Sequence, residues 1–382
     1  MDFSINEDQL ALRDAVKRFC AEEYPLIQRG NVTERNETQR RRTAMADLGL
    51  LGLPFSADMG GSELSAIEVM LVSQELGEAL ADGAFVASTV MAGQLMSRLG
   101  NTAQQQRWLP AAANGQLLMA VAVYEAEARY EWQHTATRAV ASKSGWILNG
   151  RKTLVLEGDS ADVLLVVART EGHLTDRQGL TVFAVDATAS GVEVQGFETL
   201  DNRRAAHVTF NNVQLDVDRL LGPVGKAAEA VEAALDAATA ALCAEAVGTV
   251  NALLTHTAEH LRTRKQFGAP LAKFQVLQHR IADIAISLEH FKSMACAAAM
   301  AVDANEAVQR SRLVSAAKAL ISQKGREIGM MAIQLHGAMG MTDECRVGHY
   351  VKRLMVIGQT LGDAAWHLQR LRKSSSVCTQ SA

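Results

Sequence analysis

The chain has 382 residues, more than the roughly 100–200 residues of a single domain, so two or three packed units are expected. Its hydrophobic fraction is 48%, its charged fraction is 21% and its formal net charge is −4, values typical of a soluble globular protein. This balance excludes the strongly basic class of proteins that attract nucleic acid through charge, so no nucleic-acid partner is predicted.

Two features of the sequence bear on its compartment. The five cysteines are far apart and never form a C-x-x-C pair, so neither a disulfide framework nor a metal site is predicted. The N-terminal segment is acidic where a secretory signal is basic and then apolar, and no run approaches the roughly 20 apolar residues of a membrane span. The sequence therefore predicts a cytoplasmic protein without a membrane segment. The cysteines are Cys20, Cys243, Cys296, Cys345 and Cys378.

Within residues 1–222 the hydrophobic pattern changes once, from helical to β-type. Apolar residues recur at helical spacing over residues 6–109, which predicts an N-terminal helical bundle within residues 1–117. Residues 118–222 instead carry short β-type runs bounded by Gly, Asn or Asp, which predict an antiparallel β sandwich or barrel. The predicted runs are 136–141, 146–148, 153–156, 163–167, 180–185, 192–195 and 208–210.

The last part of the chain, residues 223–382, is again helical. The periodicity predicts long helices over residues 226–265, 271–302, 306–335 and 348–373, separated by glycine-bearing breakers. Four antiparallel helices with short connections form a bundle, and the many alanines permit the close helix approach that subunit association requires. The predicted architecture is mainly α with a central β domain.

The first breaker, which we call the first joint (residues 264–278), begins Arg264-Lys265-Gln266-Phe267-Gly268. An arginine beside a glutamine, a glycine and an aromatic ring are residue types that grip a pyrophosphate and pack against a planar ring. Taken alone, the same residues are also compatible with a helix C-cap at Gly268 and solvated charges.

The second joint (residues 334–342) reads Gln334-Leu335-His336-Gly337-Ala338, followed by Met-Gly-Met-Thr. It offers backbone N–H groups and a side-chain amide to a nucleotide. The alternative is a helix end whose glycines adopt left-handed conformations.

Both joints, in this order and within a helix–sheet–helix layout, resemble the acyl-CoA dehydrogenase family over residues 3–371. The resemblance implies an FAD that is bound mainly in the neighbouring subunit and whose ADP half is held by both joints. One departure is Ala338, which stands where the family usually has a second glycine and narrows the room for phosphate. The residues that the resemblance assigns to the cofactor are Arg264, Gln266, Phe267, Leu271, Phe274, Gln275, Gln334, Leu335, Gly337 and Ala338.

The resemblance also implies α,β-dehydrogenation of an acyl-CoA thioester, in which a carboxylate removes the α-proton while a hydride passes to the flavin. The family places this glutamate at one of two positions, which here hold Ala238 and Leu361. Asp236, Glu245 and Asp363 remain as substitutes.

Glu245 is the weak candidate among these substitutes. It shares the helix face of Ala238, but it lies seven residues on, or ~10 Å along the axis. Pairing with a neighbouring helix is the alternative role for this glutamate.

The loop that touches the flavin ring in the family is altered. Residues 124–130 read Tyr-Glu-Ala-Glu-Ala-Arg-Tyr where the family has Thr-Glu-Pro-Gly-x-Gly-Ser, and residues 154–156 read Leu-Val-Leu where it has Trp-x-Thr. Bulky and charged residues replace the glycines and the serine, so the close approach of backbone to a ligand is lost.

Within the family, these features most resemble the small subunit of pimeloyl-CoA dehydrogenase and similar subunits of heteromeric enzymes, notably over residues 240–248 and 347–354. The resemblance implies a heterotetramer of fatty-acid β-oxidation whose larger subunit carries the base, with an electron-transferring flavoprotein as acceptor. Two alternatives stay open: a homotetramer that uses Glu245 as base, and a catalytically silent structural subunit.

Overall fold

The computed structural model describes residues 5–24, 35–81, 84–304 and 306–379, with the backbone alone for 35, 36 and 375–379. The chain divides into two compact units. One combines the first helix, Ala66–Ala81 and the chain from Thr239 onward; the other contains Asp82–Ala238 and the helix and turns before Ser65. The three-part division at residues 117 and 222 stays a prediction.

The helices and strands alternate in the predicted helix, sheet, helix order. Within the described ranges the helices are α1 (Glu7–Glu23), α2 (Arg35–Asp47), α3 (Ala66–Glu78), a π-helix (Phe85–Ala92), α4 (Gly93–Leu99), α5 (Thr102–Ala113), α6 (Ala228–Thr263), α7 (Gln275–Asp303), α8 (Ala307–His336), α9 (Arg346–Gln359) and α10 (Ala364–Thr379). The strands are β1 (Met119–Ala122), β2 (Arg138–Ala141), β3 (Gly145–Leu156), β4 (Val163–Arg169), β5 (Leu180–Asp186), β6 (Val192–Glu198), β7 (Arg204–Asp216), β8 (Leu220–Leu221), β9 (Lys265–Gln266) and β10 (Ala269–Pro270).

Two N-terminal helices begin at capping boxes that are visible in the sequence. Asn6 accepts the N–H of Gln9 at 2.8 Å while the Gln9 side chain accepts the N–H of Asn6 at 3.1 Å. Asn101 and Gln104 repeat the arrangement at 2.9 Å in both directions. Each box satisfies two backbone donors that the first turn of a helix leaves open, which is why α1 and α5 start where they do.

The β domain is one mixed sheet of eight strands in the order β6-β7-β3-β2-β4-β5-β8, with β1 beside β4. Most neighbours are antiparallel, as predicted, but β4 pairs in parallel with β1 and, at one residue pair, with β2. Every residue of β4 is buried, which is typical of a strand covered on both faces. The prediction of mainly antiparallel strands is confirmed, whereas the sequence pattern did not indicate the parallel pairings.

The predicted runs 146–148 and 153–156 are one strand, β3. Its pairing with β7 shifts register between Leu148 and Gly150 and again between Lys152 and Val155. Asn149-Gly150, which reads as a turn, is therefore a bulge inside the strand. Gly150 is required there because a Cβ at this position would lie 2.5 Å from the Cα of Thr137.

The long Ala-rich helix is confirmed as α6, which spans 36 residues. It approaches α3 at backbone distance, since a Cβ on Gly248 would lie 1.8 Å from the carbonyl oxygen of Gln74 and one on Gly77 would lie 2.1 Å from that of Glu245. Side chains cannot occupy this contact, so two glycines set the spacing of the two helices.

The expectation that no segment matches a membrane span was too strict. By length and composition α6 could cross a membrane, with a mean hydropathy of 1.5 over its most apolar 18 residues, of which 89% are buried inside the protein. A core helix that is covered on all sides has this composition, because its alanines, leucines and valines face neighbours in every direction.

The predicted last helix, residues 348–373, is two helices. The chain leaves α9 after Gln359 and passes through Leu361, which adopts a left-handed conformation with φ of 58°. Asp363 then caps α10, its Oδ1 accepting the N–H of Trp366 at 2.8 Å. Leu361-Gly362-Asp363 is therefore a break that periodicity alone did not show.

The cysteines form no disulfide in the part of the chain that the structure describes. This holds for Cys20, Cys243, Cys296 and Cys345. The side chain of Cys378 lies outside the described residues.

Candidate functional site

The first joint is a β-hairpin rather than a plain helix C-cap. β9 and β10 pair across a two-residue turn in which Phe267 has φ of 54° and Gly268 has φ of 76°. Two successive positive φ angles define the tight turn that matches the twist of a hairpin, which is why a glycine follows the aromatic residue. The N–H of Leu271 closes the hairpin on the carbonyl oxygen of Arg264 at 2.9 Å.

The side chains of the first joint are presented to solvent. Phe267 is 91% exposed, and its ring meets that of Phe274 edge to face with 6.0 Å between the centroids. The exposed side chain of Arg264 has no ion pair within the described part of the chain. An exposed aromatic ring beside an unpaired guanidinium is an arrangement suited to a planar, anionic ligand.

The second joint follows the end of α8. Gln334, Gly337 and Ala338 are exposed, whereas Leu335 is 6% exposed and belongs to the core. A Cβ on Gly337 would meet no atom within 4 Å, so the backbone there faces open space. Leu335 can therefore serve a ligand only through its backbone, while the other three residues are accessible.

The structure brings the two joints together. His260, in the last turn of α6, stacks on His336, at the end of α8, with 4.3 Å between ring centroids and 25° between the ring planes. The N–H of Arg264 is bonded to the carbonyl oxygen of His260 at 2.9 Å, so the hairpin starts directly beside this stack. His260 and His336, which are 76 positions apart in the sequence, thus meet at one end of the helical unit. Of the predicted cofactor residues, Gln275 is exposed at the start of α7, and Leu271 and Phe274 are half-buried.

Glu245 is held in a buried ion pair. Both of its carboxylate oxygens accept hydrogen bonds from Arg353 of α9, from Nε and Nη2, at 2.7 Å each. The two side chains are 4% and 5% exposed. A carboxylate in a two-pronged contact with an arginine is stabilised in its charged form and is engaged by a fixed partner, so the geometry supports the structural role for Glu245.

The other two candidate carboxylates, Asp363 and Asp236, do not replace the family's catalytic glutamate either. Asp363 caps α10, as described above, and Leu361 is buried. Asp236 is buried in the unit that ends at Ala238. The turn beside Leu361 is instead held by Lys318, whose ammonium donates to the carbonyl oxygen of Gly362 at 2.6 Å. Burial lowers the pKa of Lys318 to about 8, against the opposing effect of Cys243 and Asp363.

Glu125, in the altered ring loop, is also engaged. Its carboxylate accepts the ammonium of Lys152 at 2.8 Å and the N–H groups of Ala136 and Thr137 at 2.7 and 3.0 Å. Burial opposes ionisation, yet the pKa of Glu125 is lowered because Lys152 and the two N–H groups favour the charged form. Burial also lowers the pKa of Lys152, to about 8. Neither residue was singled out from the sequence for this role.

Arg169 is a second organiser that sequence reasoning missed. Its side chain is 1% exposed and donates to carbonyl oxygens on two loop segments, among them Gln133 at 2.9 Å and Asp176 at 2.9 Å. Burial lowers its pKa. Arg169, at the end of β4, thereby connects the segment that follows residues 124–130 to the loop before β5. The carbonyl groups of these loops are bonded to a buried guanidinium and are not available to a ligand.

Three models of one family match the chain. They describe the acyl-CoA dehydrogenase N-terminal domain over residues 6–116, the middle domain over 120–213 and the C-terminal domain over 228–375. Both joints lie within the match to the C-terminal domain, as do Ala238 and Leu361, which stand at the family's two glutamate positions. Residues 124–130 lie within the match to the middle domain.

Similar proteins cover the chain almost completely. The acyl-CoA dehydrogenase FadE12 of Mycobacterium tuberculosis is 29% identical over 350 residues, which are 90% of this chain and 89% of that protein. The probable acyl-CoA dehydrogenase YngJ of Bacillus subtilis is 26% identical over 367 residues, 94% of this chain and 96% of that protein. A chain in the structure of the ChsE4-ChsE5 complex from Mycobacterium tuberculosis matches with a TM-score of 0.84 at 26% identity, covering 98% of this chain and 99% of that one. This chain therefore belongs to the acyl-CoA dehydrogenase family, FAD-dependent oxidoreductases that act on the CH–CH bond of acyl-CoA thioesters.

Proposed function

We propose that this chain is the FAD-gripping subunit of a heteromeric acyl-CoA dehydrogenase and that a larger partner subunit supplies the catalytic carboxylate. One observation carries the proposal: neither glutamate position of the family holds a carboxylate here, and the nearest substitutes are engaged. Leu361 and Ala238 occupy the positions, Arg353 holds Glu245, and Asp363 caps a helix. A base must be free to take the α-proton of the substrate.

The residues of the two joints fit the ADP half of FAD. Arg264 would pair with the pyrophosphate through a charge-assisted contact, and Phe267 would pack against a flat part of the cofactor. The backbone at Gly268 and Gly337 has room for close approach, since a Cβ at either position meets nothing within 4 Å. When bound, the flavin accepts the hydride in this family; this chain's own part is to bind and orient the cofactor.

The ring side of the same chain supports the division of labour. Glu125 and Lys152 neutralise each other in the interior, and the glycines that let a backbone approach a ligand are replaced in residues 124–130. We infer that the reactive ring lies against the larger subunit, while this chain reaches across to hold the nucleotide end.

The similar structure also supports an assembly of unlike chains. That structure is a complex of ChsE4 with ChsE5, and this chain matches one of its chains over nearly the full length. We therefore propose a heterotetramer of the type suggested by the resemblance to the small subunit of pimeloyl-CoA dehydrogenase. A place in fatty-acid β-oxidation, a cytoplasmic location and an electron-transferring flavoprotein as acceptor complete the proposal.

Purification of the chain alone and after co-expression with a larger acyl-CoA dehydrogenase subunit encoded nearby tests the subunit assignment. We expect the chain alone to be colourless and inactive with acyl-CoA thioesters, and the complex to show visible flavin absorbance and dehydrogenation. A yellow, active enzyme made of this chain alone would contradict the proposal and favour the homotetramer.

Within the complex, the variant Arg264→Ala tests the proposed contact between this arginine and the pyrophosphate of FAD. The variant removes a charge-assisted phosphate contact, so FAD should dissociate at least tenfold more readily, a change that corresponds to about 1.4 kcal/mol. Arg262→Ala is the matched control, because Arg262 is equally exposed in the last turn of α6 but lies outside the motif. Equal FAD retention by wild type and Arg264→Ala would favour the silent structural subunit.

A further inference from the structure

The start of α7 is uncovered. Within the described part of the chain, none of its first nine residues, 275–283, is buried, and burial begins only at Ile284. Aliphatic side chains are present nevertheless, since Val276 is 62% exposed and Leu277 and Ile281 are half-buried. Tertiary packing, rather than helix propensity, normally stabilises a helix, so about two and a half turns without a buried residue indicate a cover that another chain supplies.

The same part of the chain is basic. Residues 263–282 contain no aspartate or glutamate but four cations, Arg264, Lys265, Lys273 and Arg280, in a chain whose net charge is −4. All four side chains are exposed, and none forms an ion pair within the described residues. Surfaces that face only water usually intersperse both signs of charge, whereas interfaces between proteins bring opposite signs together. The run of one sign therefore indicates an acidic counterpart.

The uncovered helix start is continuous with the first joint. The N–H of Phe274 donates to the carbonyl oxygen of Leu271 at 3.1 Å, and the Gln278 side chain donates from Nε2 to the carbonyl oxygen of Ala272 at 2.8 Å. These bonds fix the start of α7 directly beside the hairpin. A subunit whose cofactor meets the hairpin consequently also lies next to the start of α7.

Three exposed residues define what we call the α7 face: Lys273, Val276 and Arg280. Val276 and Arg280 are one helical turn apart and share a side of α7, and Lys273 precedes the helix by two residues. A two-fold contact between copies of this chain uses the same patch twice, so it would place like charges opposite each other at the α7 face. A small anion would neutralise the cations but would leave Val276 uncovered.

We propose that the α7 face docks on an acidic surface of the larger subunit, with Val276 packed at the contact and Lys273 and Arg280 paired with carboxylates around it. An apolar centre inside a polar rim is the usual anatomy of an interface between proteins. None of the three residues belongs to the set that holds FAD, but the inference rests on the proposed function, which supplies the larger subunit. Charges at such a rim act mainly on the rate of association and make it sensitive to salt.

Sedimentation velocity of the purified complex over a dilution series tests the docking, since it measures the Kd between the two subunits. Raising sodium chloride from about 50 mM to about 500 mM should weaken wild-type association at least tenfold, because salt screens the paired charges. Arg280→Glu should weaken association at least tenfold at the lower salt concentration, and Arg280→Gln should fall between this variant and wild type. The matched control is Arg312→Glu, which reverses an exposed charge near the start of α8 and should stay within twofold of wild type.

Three outcomes would overturn the proposal. One is a Kd that is the same in wild type and Arg280→Glu or does not depend on salt. Another is self-association of the chain alone that weakens in Arg280→Glu, which would make a second copy the occupant. The third is loss of FAD absorbance from Arg280→Glu while the subunits stay assembled, which would assign this arginine to the cofactor. The proposed function fails differently, through flavin and activity in the chain alone, so the two failures are distinguishable.

Discussion

The two joints and the two buried glutamates treat charge in opposite ways. At the first joint, Arg264 is exposed and unpaired within the described residues, and Phe267 is almost fully exposed. Glu245 and Glu125, by contrast, are each neutralised by a buried cation at 2.7–2.8 Å. Charged side chains that stabilise the fold are paired in its interior. The exposed arginine and the exposed aromatic ring of the first joint are instead accessible to a ligand. Exposure and pairing thus separate side chains that a ligand can reach from structural ones more clearly than residue type does.

The largest effect is expected at the Glu245 ion pair. Arg353→Ala leaves a buried carboxylate without its cation and should lower the free energy of unfolding by about 3–5 kcal/mol. Chemical denaturation of the purified chain measures the change. Lys324→Ala is the control, since its pair with Glu327 is half-exposed and should be worth less than about 1 kcal/mol. Equal losses in both variants would erase the distinction between the buried and the exposed pair.

The Glu125 pair should show a smaller effect. Lys152→Met removes one charged partner but leaves the N–H groups of Ala136 and Thr137 on the carboxylate, so the loss should be about 1.5–3 kcal/mol. The double variant with Glu125→Gln should recover part of this loss in the same denaturation experiment. If the double variant loses more free energy of unfolding than the two single variants lose in total, the pair is not the source of the effect.

Glu75 sharpens the comparison, because it is a largely buried carboxylate beside a like charge. Burial, and then Glu78, raise its pKa from 4.5 to about 7. The folded state therefore holds a proton that the unfolded state has released, so this contribution to stability is present below pH 4.5 and is lost as pH rises to about 7.

Glu75→Gln should consequently be more stable than wild type at pH 8 by about 1 kcal/mol, with screening taken into account, and the difference should vanish near pH 4.5. Thermal unfolding across this range measures it, and Glu22→Gln, an exposed glutamate of α1, should follow wild type at every pH. A constant difference between Glu75→Gln and wild type would rule out titration of this carboxylate.

The smallest effect on folding is expected at the first joint. Phe267→Ala removes a ring that is 91% exposed, so the free energy of unfolding should change by no more than about 0.5 kcal/mol. The same denaturation measurement checks this. A loss of several kcal/mol would mean that the ring belongs to the fold and not to a binding surface.

The local features of the fold could be predicted from the sequence. The Ala-rich helix α6 and most strands follow short-range patterns of apolar residues and turn residues, whereas the two joints stand out only through the resemblance to the family. The break at Leu361 was missed because its left-handed backbone and the cap at Asp363 leave helical spacing almost unchanged on either side.

The pairing of charges could not be predicted in the same way. Glu245 and Arg353 are 108 positions apart, and nothing in their local sequence indicates that α6 and α9 bring them together. The stack of His260 on His336 could not be predicted either, because the position of His336 depends on where α8 ends.

The hairpin of the first joint has one further consequence. Its backbone bonds and its two positive φ angles hold the Phe267 ring away from the helices before any ligand arrives. Ordering a loop on association has a free-energy cost, and the backbone part of that cost is small here because the hairpin is already bonded. A cofactor that binds there would therefore meet a backbone already in its final conformation, and the rate at which it leaves, rather than the rate at which it arrives, should respond to changes in these few residues.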